Sequence, residues 1–221
     1  MDSATSDGRR LVIVGTGPQA AIACECFRHD SPYEVAAVSA EAPLSAAGAC
    51  RGLPVVPFGD LAAAYPPSRY LAFAAASPAA GNRVSGRQLY DKVKSAGYSC
   101  ASYVSSRAYA ARSASLGENT FVHAGAALQH EATIGNNVVI GSGACVGHSA
   151  VVEDDCFVGP HVAIPGFCHI GRGSFLGANS CLADNIRIAT DCVINPGAVI
   201  LRNTEQGRAY TGNPARRVAS A

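Results

Sequence analysis

Acid–base catalysis asks for a histidine beside a carboxylate, which orients the ring and raises its basicity toward the working pH. Of the six histidines in this 221-residue chain, His130, His148 and His161 stand where such chemistry has room. His130 precedes His148 by 18 residues, and Glu131 precedes Ser149 by the same 18. His29, His123 and His169 fall at a helix end, beside an apolar valine and at the last place of a repeat, and need no role. A second cluster is the glycine loop Gly15-Thr16-Gly17-Pro18-Gln19-Ala20, set between a strand-like run at 9–14 and a helix-like one. Such a loop turns backbone N–H groups and a helix N-terminus toward phosphate. Pro18 removes one of those donors. The second strand ends Val38-Ser39-Ala40, with Glu41 arriving late for a ribose contact, so an NAD site is not expected.

Nine cysteines also have to be placed. Cys156, Cys168 and Cys192 take places that alanine and serine hold in neighbouring repeats, and Cys24-Glu25-Cys26 is one residue short of a metal-binding C-x-x-C pair. They read as buried, reduced thiols acting as small apolar groups. Cys145, following the small Ala144, reads as a packing residue and not as a nucleophile. No metal is expected.

The elements that must position the histidines come from a repeat of six residues. Aliphatic side chains recur at every sixth position: Leu116, Val122, Leu128, Ile134, Ile140, Val146, Val152, Val158, Ile164, Ile170, Leu176, Leu182, Ile188, Ile194 and Ile200. Four places after each comes a mostly small residue, such as Ala126, Ala144, Cys156 or Ser174. This period fits neither a helix nor a free strand. It fits a short strand plus a tight corner, three of which close an 18-residue triangular coil, with coils stacked at about 4.8 Å. His130 therefore lies one coil below His148, and Glu131 one coil below Ser149. The prediction is a parallel β-helix of nearly five turns from Ser115 to Leu201.

Upstream, strands at 9–14, 35–38 and 70–75 alternate with helices after the glycine loop and at 88–96, which describes a small Rossmann-like α/β unit. The expected organisation is a disordered tail over 1–8, the α/β domain over 9–98, a connector over 99–114, the β-helix over 115–203 and a tail over 204–221. A net charge of +1 with a pI near 7.6 argues against nucleic acid and anionic membrane surfaces. No apolar run is long enough to span a bilayer, and the polar start lacks the apolar segment of a signal peptide, so a cytoplasmic location is expected.

A glycine-loop α/β unit followed by uninterrupted hexapeptides resembles the bacterial sugar acetyltransferases of the sialic-acid, bacillosamine and perosamine type. The most specific stretches are Ile140-Gly-Ser-Gly-Ala-Cys-Val-Gly-His148, Gly171-Arg-Gly-Ser-Phe-Leu-Gly-Ala-Asn-Ser-Cys181 and Gly212-Asn-Pro-Ala-Arg216. The resemblance implies a left-handed helix, a homotrimer with sites in the crevices between neighbouring β-helices, acetyl-CoA as donor and the amino group of a nucleotide-linked sugar as acceptor. It makes His148 the catalytic base and sets Gly166 and Ala178 at positions whose backbone contacts CoA. Pro196 falls where the family often has glycine, and Phe157 where many members have a CoA-contacting histidine. Gly15, Gly17, Pro18 and Gln19 match the nucleotide-contacting loop, and Ser39 and Ala40 stand where an acidic pair reads base and ribose. The chain departs from the pattern at Ser149, usually a carboxylate beside the base, at the missing acidic pair, and at Gln19, a histidine elsewhere.

The expected reaction is direct acyl transfer. His148 takes a proton from the attacking amine or hydroxyl, the Gly166 N–H stabilises the oxyanion, and Glu131 supplies the carboxylate that Ser149 lacks. Arg216, next to Arg217, is a candidate for the CoA phosphates. The alternatives are O- or N-transfer to an acceptor without a nucleotide, a non-catalytic β-helix trimer, and carbonic-anhydrase-like metal binding, for which the histidine spacing is wrong.

Overall fold

The computed structural model describes residues 10–15, 17–40, 52–76 and 83–218, and the chain divides after Tyr103 into two compact units. The tail expected over 1–8 lies outside the described residues.

In the first unit, β1 (Arg10–Val14) leads through the glycine loop into α1 (Pro18–His29), followed by β2 (Glu34–Ala40), β3 (Val55–Pro57), α2 (Phe58–Ala64), β4 (Leu71–Ala74) and α3 (Arg83–Ser95). The sheet is parallel in the order β3-β2-β1-β4. Its central strand is an unbroken buried run, Leu11 to Val14, because both faces are covered. Phe27 of α1 packs its ring against Phe73 at 5.1 Å and Tyr103 at 5.5 Å. β3 and α2 are not anticipated from the sequence; Val55-Val56-Pro57 is too short a run to show a period.

The second unit is the coil stack. Two-residue strands run from β5 (Tyr103–Val104) through β6 (Tyr109–Ala110) to β21 (Val199–Ile200), in three parallel sheets. Each coil pairs with the next at an offset of 18 residues, as in Cys145 with Ala163 and Val151 with His169. The inward aliphatics form one continuous core in which Val122, Leu128, Ile140, Val146, Val152 and Val158 have no exposed surface. The residue preceding each points outward and gives every face its character. One face is aromatic (Phe121, Phe157, Phe175), one is small and thiol-bearing (Ala127, Cys145, Ala163, Cys181), and one is polar (Ser115, Thr133, His169, Arg187).

The small inward residues explain the cysteines. Thr120, Cys156, Cys168 and Ser174 each donate from the side chain to the carbonyl 15 residues on, in the corner of the coil above. Any small donor serves there, and burial pushes the Cys156 thiol up to about 12, so it is no nucleophile. Cys26, Cys100, Cys145, Cys156, Cys168, Cys181 and Cys192 form no disulfide; Cys24 is disulfide-bonded, and for it the reading as a reduced thiol fails.

The stack also extends beyond the repeat at both ends. The expected connector over 99–114 contains β5 and β6, because Val104 and Ala110 continue the same register with an alanine at one inward place. The expected tail over 204–221 contains β22 (Ala209–Thr211), which continues the aromatic face's sheet beside Val193–Ile194, and β23 (Arg216–Arg217), which turns back antiparallel on it.

Candidate active site

His148 occupies the corner between the thiol-bearing and polar faces, after Cys145–Val146 and before Val151–Val152. Backbone bonds fasten this corner from both sides. The His148 N–H donates to Gln129 Oε1 at 3.2 Å, the Ser149 N–H to the His130 carbonyl at 2.8 Å, and the Phe167 N–H to the His148 carbonyl at 3.1 Å. The imidazole leaves the coil surface and lies across Gly166 of the next coil; a Cβ on Gly166 would stand 2.5 Å from both Cε1 and Nε2. Phe167 closes the other side of the ring, edge to face, with centroids 4.9 Å apart and planes at 86°. Neither ring nitrogen of His148 hydrogen-bonds to a protein group among the described residues, and the Gly166 N–H has no acceptor there either. The corner therefore presents an exposed proton acceptor next to an uncommitted backbone donor.

Glu131 sits where the 18-residue offset puts it, but its carboxylate goes elsewhere than expected. Oε2 accepts from the Ser149 hydroxyl at 3.2 Å, and Oε1 lies 3.4 Å from His130 Nε2. His130 turns its other nitrogen to the Ser113 hydroxyl at 2.8 Å. Glu131 thus touches the residue beside His148 and not its ring. At a corner the backbone of Glu131 and Ser149 is left-handed (φ 57° and 53°), which directs stacked side chains at each other and not at the preceding residue of the coil above. A histidine–carboxylate pair does exist elsewhere: His169 Nε2 lies 2.6 Å from Glu153 Oε1, while Oε2 accepts the Arg172 N–H at 2.8 Å. Burial raises the Glu153 carboxyl, and the Arg172 N–H and His169 outweigh it and hold it below the ordinary carboxylate value. Both its oxygens are committed, so this pair braces the polar face.

Of the CoA positions expected from the sequence, only Gly166 stands beside His148. Ala178 and Pro196, 18 residues apart, share the corner between the aromatic and thiol-bearing faces. Phe157 lies on the aromatic face, stacked on Phe175 at 4.9 Å. Within one chain these residues line two different edges. Arg216 lines a cleft of about 450 Å³ at the last coil with Arg202, Tyr210, Glu205 and Arg217, whose guanidinium donates to Glu205 Oε2 at 2.7 Å. Arg202 is 54 residues after His148, so the cleft stands over the same edge, three coils up or about 14 Å away.

In the first unit, Gly15 needs its left-handed φ of 131°, and a Cβ there would stand 2.6 Å from the Ala75 carbonyl oxygen. Its N–H donates to the Ser39 carbonyl at 2.8 Å. Gly17 is the extended N-cap of α1, with Pro18 in the first turn. Gln19 Nε2 and the Ser39 hydroxyl are both buried without a hydrogen-bond partner among the described residues, and Ala40 follows Ser39, buried, in β2. Thr16 and Glu41 lie outside the described residues. Among the described residues no group of histidine, cysteine and acidic side chains is arranged to hold a metal ion, and no helix is long and apolar enough to cross a membrane.

Residues 113–148, 149–184 and 167–202 match the family described as Bacterial transferase hexapeptide (six repeats). No curated protein matches the chain. Among solved structures, a histidine-to-asparagine mutant of perosamine N-acetyltransferase from Caulobacter crescentus, in complex with CoA and GDP-perosamine, is 26% identical. The match covers 99% of this chain and all of that one, with a TM-score of 0.86. The acetyltransferase domain of PglB from Neisseria gonorrhoeae, in complex with acetyl coenzyme A, shares the fold at 21% identity, covering 96% and 100% of the two chains with a TM-score of 0.81. WeeI from Acinetobacter baumannii shares it at 17% identity, 95% and 100% coverage and a TM-score of 0.73. The coil stack is thus built of bacterial transferase hexapeptides, and the chain is an acyltransferase. The α/β unit and the coil stack each resemble their counterparts in the perosamine N-acetyltransferase.

Proposed function

We propose that the chain moves an acetyl group from acetyl-CoA to an amino group of a nucleotide-linked sugar, with His148 as general base. The observation that carries this reading is the exposed His148 ring lying on Gly166, whose N–H is uncommitted. The thioester supplies an activated acyl carbon with a good leaving group. His148 accepts a proton from the acceptor nitrogen as the new C–N bond forms, and the Gly166 N–H donates to the oxygen on which negative charge develops; the C–S bond then breaks, and the CoA thiolate leaves with the proton that His148 returns. No residue here needs to become acylated. Glu131 has a supporting role, holding Ser149 and so the corner on which His148 stands.

The arginine cleft fits the phosphate end of CoA. Its cations stand over the His148 edge at a distance the extended pantetheine arm can span. Ala178, Pro196 and Phe157 lie on another edge, and they join this site if identical chains close a homotrimer with one chain's His148 edge against its neighbour's aromatic face. Arg216→Ala should raise KM for acetyl-CoA about tenfold, roughly 1.4 kcal/mol for one charge-assisted contact, with kcat little changed. An unchanged KM would take Arg216 out of the site.

For the acceptor, Gln19 Nε2 and the Ser39 hydroxyl, which have no partner among the described residues, favour a ligand that brings hydrogen-bonding groups, as a nucleotide does. A second reading, transfer to an acceptor lacking a nucleotide, including O-transfer, is favoured by Ser39 and Ala40, which carry no charge to read base and ribose. The deciding experiment is thiol release from acetyl-CoA against amino sugars and their hydroxyl counterparts, each free and nucleotide-linked. Turnover confined to nucleotide-linked amines supports the first reading, and turnover on free acceptors the second.

A further inference from the structure

Ten non-glycine residues of the coil corners have left-handed backbone, and nine of them carry a polar or ionisable side chain: Asn119, Glu131, Asn137, Ser149, Asp155, His161, Asn179, Asn185 and Asp191. Short polar residues tolerate this conformation because their side chains hydrogen-bond locally. The Asn119, Asn137 and Asp155 side chains bond instead from coil to coil, forming a ladder at 2.8 and 2.9 Å. The tenth residue is Phe167, at φ 58°. A bulky aromatic gains nothing locally in that region, and this one is also 60% exposed to water. Two unfavourable features thus coincide at one residue, in the coil directly above Ser149. Strain of this kind concentrates where function over-determines the backbone. The Phe167 ring has one partner that accounts for it, the His148 imidazole, in edge-to-face contact.

We propose that Phe167 is a positioning residue that clamps His148. With Gly166 beneath the imidazole and Phe167 across its face, the ring keeps one rotamer although no described residue hydrogen-bonds its nitrogens. In this protein the aromatic edge does what a neighbouring carboxylate does for other catalytic histidines, fixing direction by packing and not by charge. The inference rests on His148 being the base.

Phe167→Asn separates this role from a structural one, because asparagine suits the left-handed corner. The variant should melt about 2–4 °C higher than the wild type. Its kcat should nonetheless fall about tenfold, with KM for acetyl-CoA unchanged, because the base is no longer aimed. Phe167→Tyr keeps the ring edge and should retain wild-type kcat. The imidazole Cε1–H resonance that disappears in His148→Ala should shift in Phe167→Asn, since it loses the ring current of the phenyl group. Full kcat in Phe167→Asn, an unmoved resonance, or an equal loss in Phe167→Tyr would overturn the clamp while leaving the base in place. If His148→Ala itself keeps full turnover, the base assignment falls and the clamp falls with it.

Discussion

His148→Ala should lower kcat about 10²–10⁴-fold, leaving the melting temperature and KM for acetyl-CoA close to wild type. The expected split follows from where the ring sits. It is outside the coil core and exposed, and among the described residues it is held by its backbone and its contacts with Gly166 and Phe167, so alanine removes no buried group and leaves no cavity. What disappears is the proton acceptor, and a loss of that role appears in kcat. Glu131→Gln is the informative companion. Its carboxylate reaches Ser149 and His130 but not the His148 ring, so it should lose only a small fraction of what His148→Ala loses. Equal losses in the two variants would mean that Glu131 contacts His148 during turnover. Unchanged kcat in His148→Ala would remove the base.

Gly166→Ala should lower kcat about 10²-fold without destabilising the fold. Gly166 does not have left-handed backbone, so alanine meets no conformational penalty. A methyl group there would stand 2.5 Å from the imidazole Cε1 and Nε2 and 3.1 Å from Cδ2, with no closer backbone neighbour. The yielding group is therefore the histidine, displaced on the order of 1 Å, which misaims the base. The backbone N–H proposed to stabilise the oxyanion is still present, so the variant tests ring placement separately from that donor. A drop of several degrees in melting temperature, or retained kcat, would contradict this account. Gly147, one coil below Pro165, behaves differently: a Cβ there would meet backbone atoms at 2.5 and 2.6 Å, and the same substitution should damage the stack itself.

The contrast between these two glycines shows what the sequence made legible. The six-residue register determined every inward side chain from Leu116 to Ile200 and put His130, Glu131, Ser149 and Gly166 in the correct coils, because parallel pairing at an 18-residue offset leaves little freedom. The sequence also showed the turn at Gly15 and the strand and helix that flank it. The direction of corner side chains was not legible. Glu131 was expected to serve His148 and bonds Ser149 instead, a difference of one residue that the register alone cannot decide. Phe167 went unnoticed because a phenylalanine after Pro165-Gly166 breaks no rule until its φ is known. The ends of the stack were missed for a related reason: Ala110 and the strand at Ala209–Thr211 pair like the others without keeping the aliphatic signature.

The reversal of direction at the last coil bears on how the molecule behaves in a crowd. A parallel stack could in principle grow without limit, since each coil offers the next the same row of amides and carbonyls. Here the chain turns back on itself at Gly212-Asn213-Pro214, and the final strand lies antiparallel across the sheet with two arginines on it. A second copy arriving end-on meets a strand of mismatched polarity. The hairpin that helps frame the arginine cleft therefore also serves as a stop codon written in hydrogen bonds, keeping a fold built for endless addition from becoming a fibre.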